Sequence, residues 1–330
     1  MSKGRGVRQL NNFVTNGIFG MGITLSQPIT EKHTFTFENE KFKGAVSSMQ
    51  GWRVTMEDAH SVYMELPGDP TASYFAVYDG HSGPKVAEFA SRNLHKYVVK
   101  NDLFQRGFVK DAMKAAFLDM DVEMREREEL QDDMSGSTAI VVLIKEGSLF
   151  CANLGDSRAI AVIDGHVHAL SFDHKPNTPS EYERIVEAGG WVEFNRVNGN
   201  LAVSRAFGDF VYKMNENRDQ EKQSIIALPD VTETKLNERW EFILLACDGI
   251  WDVLSNTDVG EFVSVRIQQG KPPDAICEDL LNRCLSPVSN YGGTGCDNMT
   301  VILVLFMKNK KNQIVYSKPL SKDDSPASIQ

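Results

Sequence analysis

Short apolar runs that end in an acidic residue are the most prominent pattern in the chain. Residues 74–78 form one run, rich in aromatic and β-branched side chains, and Asp79 follows it. Residues 242–247 form another, and Asp248 follows it. Such runs predict buried strands. The glycine after each acid also suits a hairpin turn, so either motif alone fits a plain turn equally well. Two buried strands that each end in a carboxylate favour a shared metal site.

Along the rest of the chain, hydrophobic residues recur with the spacing of strands in some segments and of helices in others. Strands are predicted over 42–48, 61–66, 135–145, 148–154, 158–163, 166–170, 230–235, 241–247 and 299–306. Helices are predicted over 83–100, 106–130, 178–188, 256–268 and 272–285. The methionine-rich stripe of the second helix, from Val109 to Met124, is interpreted as core. Residues 213–224 are very polar and predict an exposed loop.

The two ends of the chain lack a regular spacing of hydrophobic residues. Residues 1–40 are predicted to form an N-terminal extension that is loose or only partly packed, and residues 308–330 a disordered polar tail. The catalytic domain would then span residues 41–307. Residues 21–26 fit a myristoylation pattern at Gly22 if translation starts at Met21, although so short a match also arises by chance. One such chain would give only weak membrane association.

Composition narrows the class of protein. The chain has 330 residues, 42% of them hydrophobic, which is enough for a sizeable core. Its 35 basic and 45 acidic residues give a net charge of −10, which argues against nucleic acid as a partner. The five cysteines are odd in number and form no Cys-x-x-Cys pair, which favours reduced thiols in a cytoplasmic or nuclear protein. We expect no transmembrane segment and no secretion signal.

Several acidic residues stand at predicted element boundaries. They are Glu57, Asp58, Asp79, Asp156, Asp248, Asp252 and Asp297. Asp252 follows Asp248 by four residues, so a helical turn would place both on one face. Asp156 at a glycine turn is structural by default, and the acids near residue 57 also fit a solvated loop. An oxygen-only set without histidine or cysteine ligands favours Mg²⁺ or Mn²⁺. Two such ions suit displacement at phosphorus by an activated water.

Three other residues suit the same chemistry. Arg53 can grip an oxyanion through a forked pair of hydrogen bonds. Gly80 has no Cβ, so its carbonyl can approach an ion closely. His81 can move a proton near neutral pH. Each signal is weak alone, and their joint presence is what points to an active site.

In these residues the chain resembles the metal-dependent serine/threonine protein phosphatases of type 2C. The resemblance covers about residues 42–307 in the family's order, which makes it specific. The matching stretches are residues 49–53, 56–60, 75–81, 135–139, 155–158, 173–176, 201–209, 246–252 and 297–299.

The resemblance implies an α+β fold, a four-layer sandwich of two central antiparallel β-sheets flanked by helices on both sides. It implies two metal ions bridged by Asp79, and a weaker third. The implied ligands are Glu57 and the Gly80 carbonyl for one ion, Asp248 and Asp297 for the other, and Asp156 and Asp252 for the third.

The resemblance also implies roles around the metals. Arg53 would bind the substrate phosphate, His81 would protonate the leaving group, and Asp58 would hold metal-bound water. The family's flap would fall near residues 171–212 and shape substrate choice. The chain departs from the family in two ways. The mammalian-type C-terminal helical extension is missing. Residues 1–20 precede the family's usual start and are interpreted as an added leader or as a misassigned start.

Three functions remain open from the sequence. The leading hypothesis is a phosphatase acting on phosphoserine and phosphothreonine proteins, expected to be a monomer. A pseudophosphatase-like binding module on the same fold is disfavoured, since every expected ligand is present. A two-metal hydrolase of small phosphate esters is the third, because fold does not fix function.

Overall fold

The computed structural model describes residues 24–289 and 293–308. Its strands are β1 (Thr24–Glu38), β2 (Phe42–Arg53), β3 (Ala59–Tyr63), β4 (Ser73–Tyr78), β5 (Gly80–His81), β6 (Gly136–Ser137), β7 (Ala139–Lys145), β8 (Ser148–Leu154), β9 (Arg158–Ile163), β10 (His166–Ala169), β11 (Val192–Glu193), β12 (Arg196–Val197), β13 (Phe207–Gly208), β14 (Asp230–Lys235), β15 (Trp240–Ala246) and β16 (Met299–Phe306). Its helices are α1 (Lys85–Lys100), α2 (Asp102–Gln105), α3 (Val109–Glu126), α4 (Glu128–Gln131), α5 (Pro179–Glu187), α6 (Asp248–Trp251), α7 (Asn256–Gln268) and α8 (Pro273–Cys284).

Two antiparallel sheets form the centre of the fold. The first has the strand order β1-β2-β16-β15-β9-β10, and the second β14-β8-β7-β4-β3. The sheets pack face to face through a core that joins Phe75 and Val142 of one sheet to Ile243 and Ile302 of the other. This arrangement confirms the predicted α+β sandwich.

Helices cover the outer face of each sheet. Side chains of α1 and α3 pack on the second sheet, and α7 and α8 pack on the first. Strand β4 is therefore buried on both faces: Phe75 and Val77 point to the other sheet, and Tyr74 and Tyr78 point to the helices. A strand covered on both faces needs apolar residues at every position, so it is a continuous apolar run rather than an alternating one.

The predicted methionine-rich helix lies in the core as expected. Met113, Phe117, Met120 and Met124 of α3 are fully buried against the second sheet. The helix is shorter than predicted, because it begins at Val109 and ends at Glu126, with α4 as a separate turn. The backbone at Arg127 is extended, which interrupts the helical hydrogen bonds there.

Residues 24–38 of the predicted N-terminal extension are partly packed rather than loose. These residues form β1, which pairs with β2 along nearly its whole length. Most of its side chains are exposed, as on an edge strand, so its apolar content is too low to mark it as core. Strand β2 also runs five residues beyond its predicted end at residue 48, which places Arg53 at the end of a strand.

The predicted exposed loop at 213–224 is only partly exposed. The Lys213 side chain is buried, and its ammonium group donates to both carboxylate oxygens of Asp121 at 2.8 and 2.7 Å. Gln223 is also buried and donates to backbone carbonyls within the same segment. Polar residues that satisfy one another internally can be buried, which composition alone does not reveal.

Some sequence predictions fall outside the described residues. These are the possible lipid site at Gly22, the leader at residues 1–20 and nearly all of the polar tail. Within the described ranges, no helix combines the length and apolarity needed to cross a bilayer.

Residues between β10 and β14 form a small unit with its own apolar centre. Ile185, Val197, Val203 and Ile225 meet there. Beside it the Glu181 carboxylate accepts hydrogen bonds from Arg184 at 2.7 Å, Arg205 at 2.7 Å and Ser204 at 2.6 Å. Burial alone would raise the pKa of Glu181, but the hydrogen bonds from Arg205 and the charges of both arginines lower it to about 2.

We expect Glu181→Gln to lower the free energy of unfolding by about 3 kcal/mol at pH 7, because it removes the carboxylate that pairs with two buried guanidinium groups. Arg205 keeps its second ion pair, with Asp230, so the loss falls mainly on Arg184. The folded-state pKa lies below the usual value of about 4.3 for a free Glu. This stabilisation is therefore present above that pH and is lost as pH falls towards 2. Urea denaturation at pH 7 and pH 3 measures both effects. Glu183→Gln, on the exposed side of the same helix, is the control, and a variant as stable as wild type at pH 7 would contradict the expectation.

Candidate active site

Strand pairing brings two of the predicted acids to one edge of the first sheet. Strands β15 and β16 run antiparallel with Ala246 opposite Val301, so the end of β15 lies beside the start of β16. Asp248 follows the former and Asp297 precedes the latter. The turn that opens α6 at Asp248 also places Asp252 nearby, with the Asp252 amide donating to the Asp248 carbonyl at 2.8 Å. Both acids of this predicted helical turn thus stand at the same edge.

Strand pairing in the second sheet likewise brings two acidic residues to one edge. Val77 of β4 lies opposite Ile140 of β7, and Ala139 lies opposite Leu154 of β8. The ends of β4 and β8 therefore meet at one edge. Asp79 follows the first of these strands and Asp156 the second, so two acids far apart in sequence become neighbours.

Close backbone contacts at two glycines draw these edges together. A Cβ on Gly249 would lie 2.0 Å from the Asn298 carbonyl oxygen, and one on Gly80 would lie 2.3 Å from the Glu57 carbonyl oxygen. Neither distance is possible for a real side chain, so only glycine fits. The first contact holds Asp248 against the segment of Asp297, and the second holds Glu57 against Asp79–Gly80.

Three carboxylates converge at the centre of the site. Each of Asp79, Asp156 and Asp248 offers an oxygen within 4.8 Å of the other two. Burial and the neighbouring negative charges raise the pKa of both Asp79 and Asp248 well above its ordinary value. Within the described residues, neither of these two carboxylates accepts a hydrogen bond or forms an ion pair. Uncompensated carboxylates that face one another fit a divalent cation with oxygen ligands.

Asp58 lies behind this cluster. Its Oδ2 accepts a hydrogen bond from Thr300 at 2.7 Å and contacts the Cys247 sulfur at 3.3 Å. Burial raises its pKa to about 7, against the opposing effect of Thr300. Asp58, Asp79 and Cys247 also bring ligand atoms within 4.8 Å of one another. This places Asp58 next to the central carboxylates.

Two cations border the carboxylates. The Nη2 of Arg53 donates to Asp297 at 2.6 Å, and Lys175 forms an ion pair with Asp156. The Nε of Arg53 is buried and has no hydrogen-bond partner among the described residues. A buried donor without a partner costs free energy. It therefore marks a position where an anionic ligand would be stabilised.

His81 follows Asp79 by two residues and ends β5. Its Nε2 lies 2.7 Å from Oδ2 of the buried Asp209. Burial lowers the pKa of His81, but the charge and hydrogen bond of Asp209 outweigh burial and raise it above the ordinary value. Asp209 itself precedes the short 3-10 turn at Phe210–Tyr212. An imidazole held in this way favours the protonated form.

Asn298 organises the loop that carries Glu57. Its Oδ1 accepts from the Glu57 amide at 2.9 Å, while its Nδ2 donates to the carbonyls of Gln50 and Thr55 at 2.8 and 3.0 Å. The Glu57 side chain accepts from the Thr55 hydroxyl at 2.9 Å. The structure thus brings every residue predicted for the site to one place.

Sequence reasoning missed four residues that shape this site. Asp209, Lys175, Cys247 and Asn298 were part of the matching stretches but received no role. Their position inside these stretches was the one indication in the sequence that they belong to the site. It does not indicate which residues they contact in the folded protein.

A four-layer α+β sandwich with a carboxylate-lined site at one edge of both sheets defines a class, the type 2C phosphatases. The chain belongs to the protein phosphatase 2C family: the family model matches residues 42–290. It is an enzyme, a protein phosphatase of the serine/threonine class. This confirms the family expected from the sequence motifs.

Known protein phosphatases are similar to this protein in sequence and structure over most of its length. A Caenorhabditis elegans protein named a probable protein phosphatase 2C is 51% identical over 298 residues, which cover 90% of this chain and 84% of that protein. The protein phosphatase 2C homolog 3 of Schizosaccharomyces pombe is 45% identical over 302 residues, covering 90% and 72%. The crystal structure of a phosphatase from Toxoplasma gondii superposes with a TM-score of 0.74 at 29% identity, covering 86% of this chain and 97% of that one.

Proposed function

We propose that this protein hydrolyses phosphoserine and phosphothreonine in proteins, with two Mg²⁺ or Mn²⁺ ions and a weaker third. The observation that carries the proposal is the pair of carboxylates Asp79 and Asp248, which face Asp156 without a hydrogen bond or cation of their own among the described residues. When bound, the ions would supply Lewis-acid activation of a water and neutralise phosphate charge.

The ligands divide by position in the site. Asp79, at the centre, would bridge two ions. Glu57 and the Gly80 carbonyl, which share a close backbone contact, would complete one ion. Asp248 and Asp297, from neighbouring strands, would hold the other. Asp156 and Asp252 remain for the third.

The protein's own side chains would then act on substrate and water. Asp58, with its raised pKa, would hold water next to the central carboxylates and accept a proton from it. His81 would donate a proton to the departing serine or threonine oxygen. Arg53 would orient the phosphate through Nη and the unpartnered Nε.

We expect Arg53→Ala to raise KM for phosphopeptides by about 10- to 150-fold, because a charge-assisted hydrogen bond is worth about 1.5–3 kcal/mol. Arg53→Lys keeps the positive charge but loses the forked pair of donors, so its KM should lie between that of wild type and that of Arg53→Ala. Inhibition by inorganic phosphate should weaken in parallel. Since Arg53 also contacts Asp297, each variant is assayed at saturating Mn²⁺. An unchanged KM with unchanged phosphate inhibition would contradict the role.

Phosphate release from a phosphothreonine peptide and from 4-nitrophenyl phosphate tests the proposal. We expect hydrolysis of both in Mn²⁺ or Mg²⁺, none with a chelator, and a higher kcat/KM for the peptide. Hydrolysis of the small ester alone would favour a small-ester hydrolase. No hydrolysis of either substrate, with phosphopeptide binding retained, would favour a pseudophosphatase-like binding module.

We also propose a cytoplasmic or nuclear location. All five cysteines are free and buried, as suits a reducing compartment. Fractionation of cells with an antibody to the native protein tests this, and recovery from the secretory pathway would contradict it.

A further inference from the structure

The hairpin formed by β11 and β12 ends in an unusual turn. Val192 pairs with Val197 and Glu193 with Arg196, so Phe194 and Asn195 form a two-residue connection. Both have positive φ, 49° and 58°, as a type I′ turn requires. Asn, Asp and Gly are the residues that suit such a turn. Asn195 therefore fits its position, and Phe194 does not.

Phe194 is an exception among residues with this backbone conformation. The other described non-glycine residues with positive φ are all polar: Ser82, Glu146, Asp164, Asn195, Asn198 and Asp209. A bulky side chain there is strained. Phe194 is also 90% exposed, so packing against the described residues does not offset the strain. Strain kept without internal compensation points to a functional contact.

The backbone of the hairpin that carries the ring is held in place. The Trp191 amide donates to Oδ1 of Asn198 at 3.1 Å, and the Asn198 amide donates to the Trp191 carbonyl at 2.8 Å. Val197 is fully buried in the apolar centre of this unit. The exposed ring thus extends from a well-supported backbone, so little backbone entropy would be lost when it contacts a partner.

The turn is also tied to the active site. Oδ1 of Asn195 accepts a hydrogen bond from the Asn177 amide at 3.1 Å. Asn177 lies two residues, at most about 7 Å of chain, from Lys175, and Lys175 pairs with Asp156 in the carboxylate cluster. An extended polypeptide spans about 3.3–3.6 Å per residue. If the phosphate of a polypeptide substrate lies at the carboxylate cluster, the substrate residue that reaches the turn is therefore only a few positions from the phosphorylated one.

We propose that Phe194 is a specificity determinant that packs against an apolar side chain of the phosphoprotein substrate, a few residues from the phosphorylated one. This rests on the proposed function, since the occupant is the polypeptide bound at the same site. The catalytic residues act on the phosphate, and Phe194 selects the sequence around it. Small phosphate esters do not reach the turn.

Phe194→Asn tests the proposal, because asparagine suits the turn and removes the ring. Two phosphothreonine peptide series carry leucine or serine at each flanking position in turn. We expect the variant to lose about tenfold in kcat/KM, about 1.4 kcal/mol, on the leucine peptides that wild type prefers. Its kcat/KM should stay unchanged on serine peptides and on 4-nitrophenyl phosphate. Its Tm should rise by about 1–3 °C as strain is relieved, and Phe194→Leu should retain most of the preference.

Phe108→Asn is the matched control, an exposed phenylalanine before α3 with ordinary negative φ, and should keep the leucine preference. If wild type hydrolyses phosphopeptides but Phe194→Asn shows the same leucine preference, the inference fails and the proposed function stands. If wild type hydrolyses no phosphopeptide, both fail. If Phe194→Asn changes only self-association, measured by analytical ultracentrifugation, the turn is a contact between copies and the inference is overturned.

Discussion

Asp79→Asn is expected to lower kcat for phosphopeptides by at least about 10³-fold. The side chain lies at the centre of the carboxylate cluster and is the proposed bridge between two ions. Metal ions supply several kcal/mol of transition-state stabilisation, and each 1.36 kcal/mol is a factor of ten in rate. An amide keeps the shape of the side chain but loses the charge that binds the ions.

Stability measurements separate this loss from misfolding. In a chelator, Asp79→Asn should be at least as stable as wild type, because it removes a carboxylate repelled by Asp248 and Asp156. Added Mn²⁺ should raise the Tm of wild type more than that of the variant, since ligands stabilise the state that binds them. Asp132→Asn, at an exposed site on the surface, should behave like wild type. Full activity of the metal-free protein, or of Asp79→Asn, would contradict a metal-dependent site.

The central strands could be predicted because their environment imposes a simple pattern. Strands β4 and β15 are covered on both faces, so they read as continuous apolar runs. Asp79 and Asp248 stand out because each charge follows such a run directly. Here a local pattern carries information about both burial and chemistry.

Contacts between distant segments could not be predicted in this way. Asp209 and His81 are 128 residues apart in the chain, and Cys247 and Asp58 are 189 residues apart. Nothing in either segment specifies its partner, which depends on how the sheets pack. The edge strand β1 was missed for a different reason: its backbone hydrogen bonds hold it in place, while its side chains mostly face solvent.

His81→Gln should slow hydrolysis of a phosphothreonine peptide by roughly 10²-fold or more. A threonine alkoxide is a poor leaving group, so the departing oxygen gains from a proton in the transition state. A nitrophenolate leaves readily without one, and the same variant should slow 4-nitrophenyl phosphate hydrolysis much less. Asp209, 2.7 Å from the imidazole, raises the pKa of His81 and so favours the acid form that donates.

Measuring kcat for both substrates gives the answer, and the Mn²⁺ concentration for half-maximal activity serves as a second measurement. That concentration should hardly change, because His81 is bound to Asp209 rather than placed among the proposed ligands. His168→Gln, an exposed histidine on β10, should leave both rates unchanged. Equal losses on the two substrates, or a large shift in the Mn²⁺ requirement, would show that His81 supports the structure or the metal site instead of protonating the leaving group.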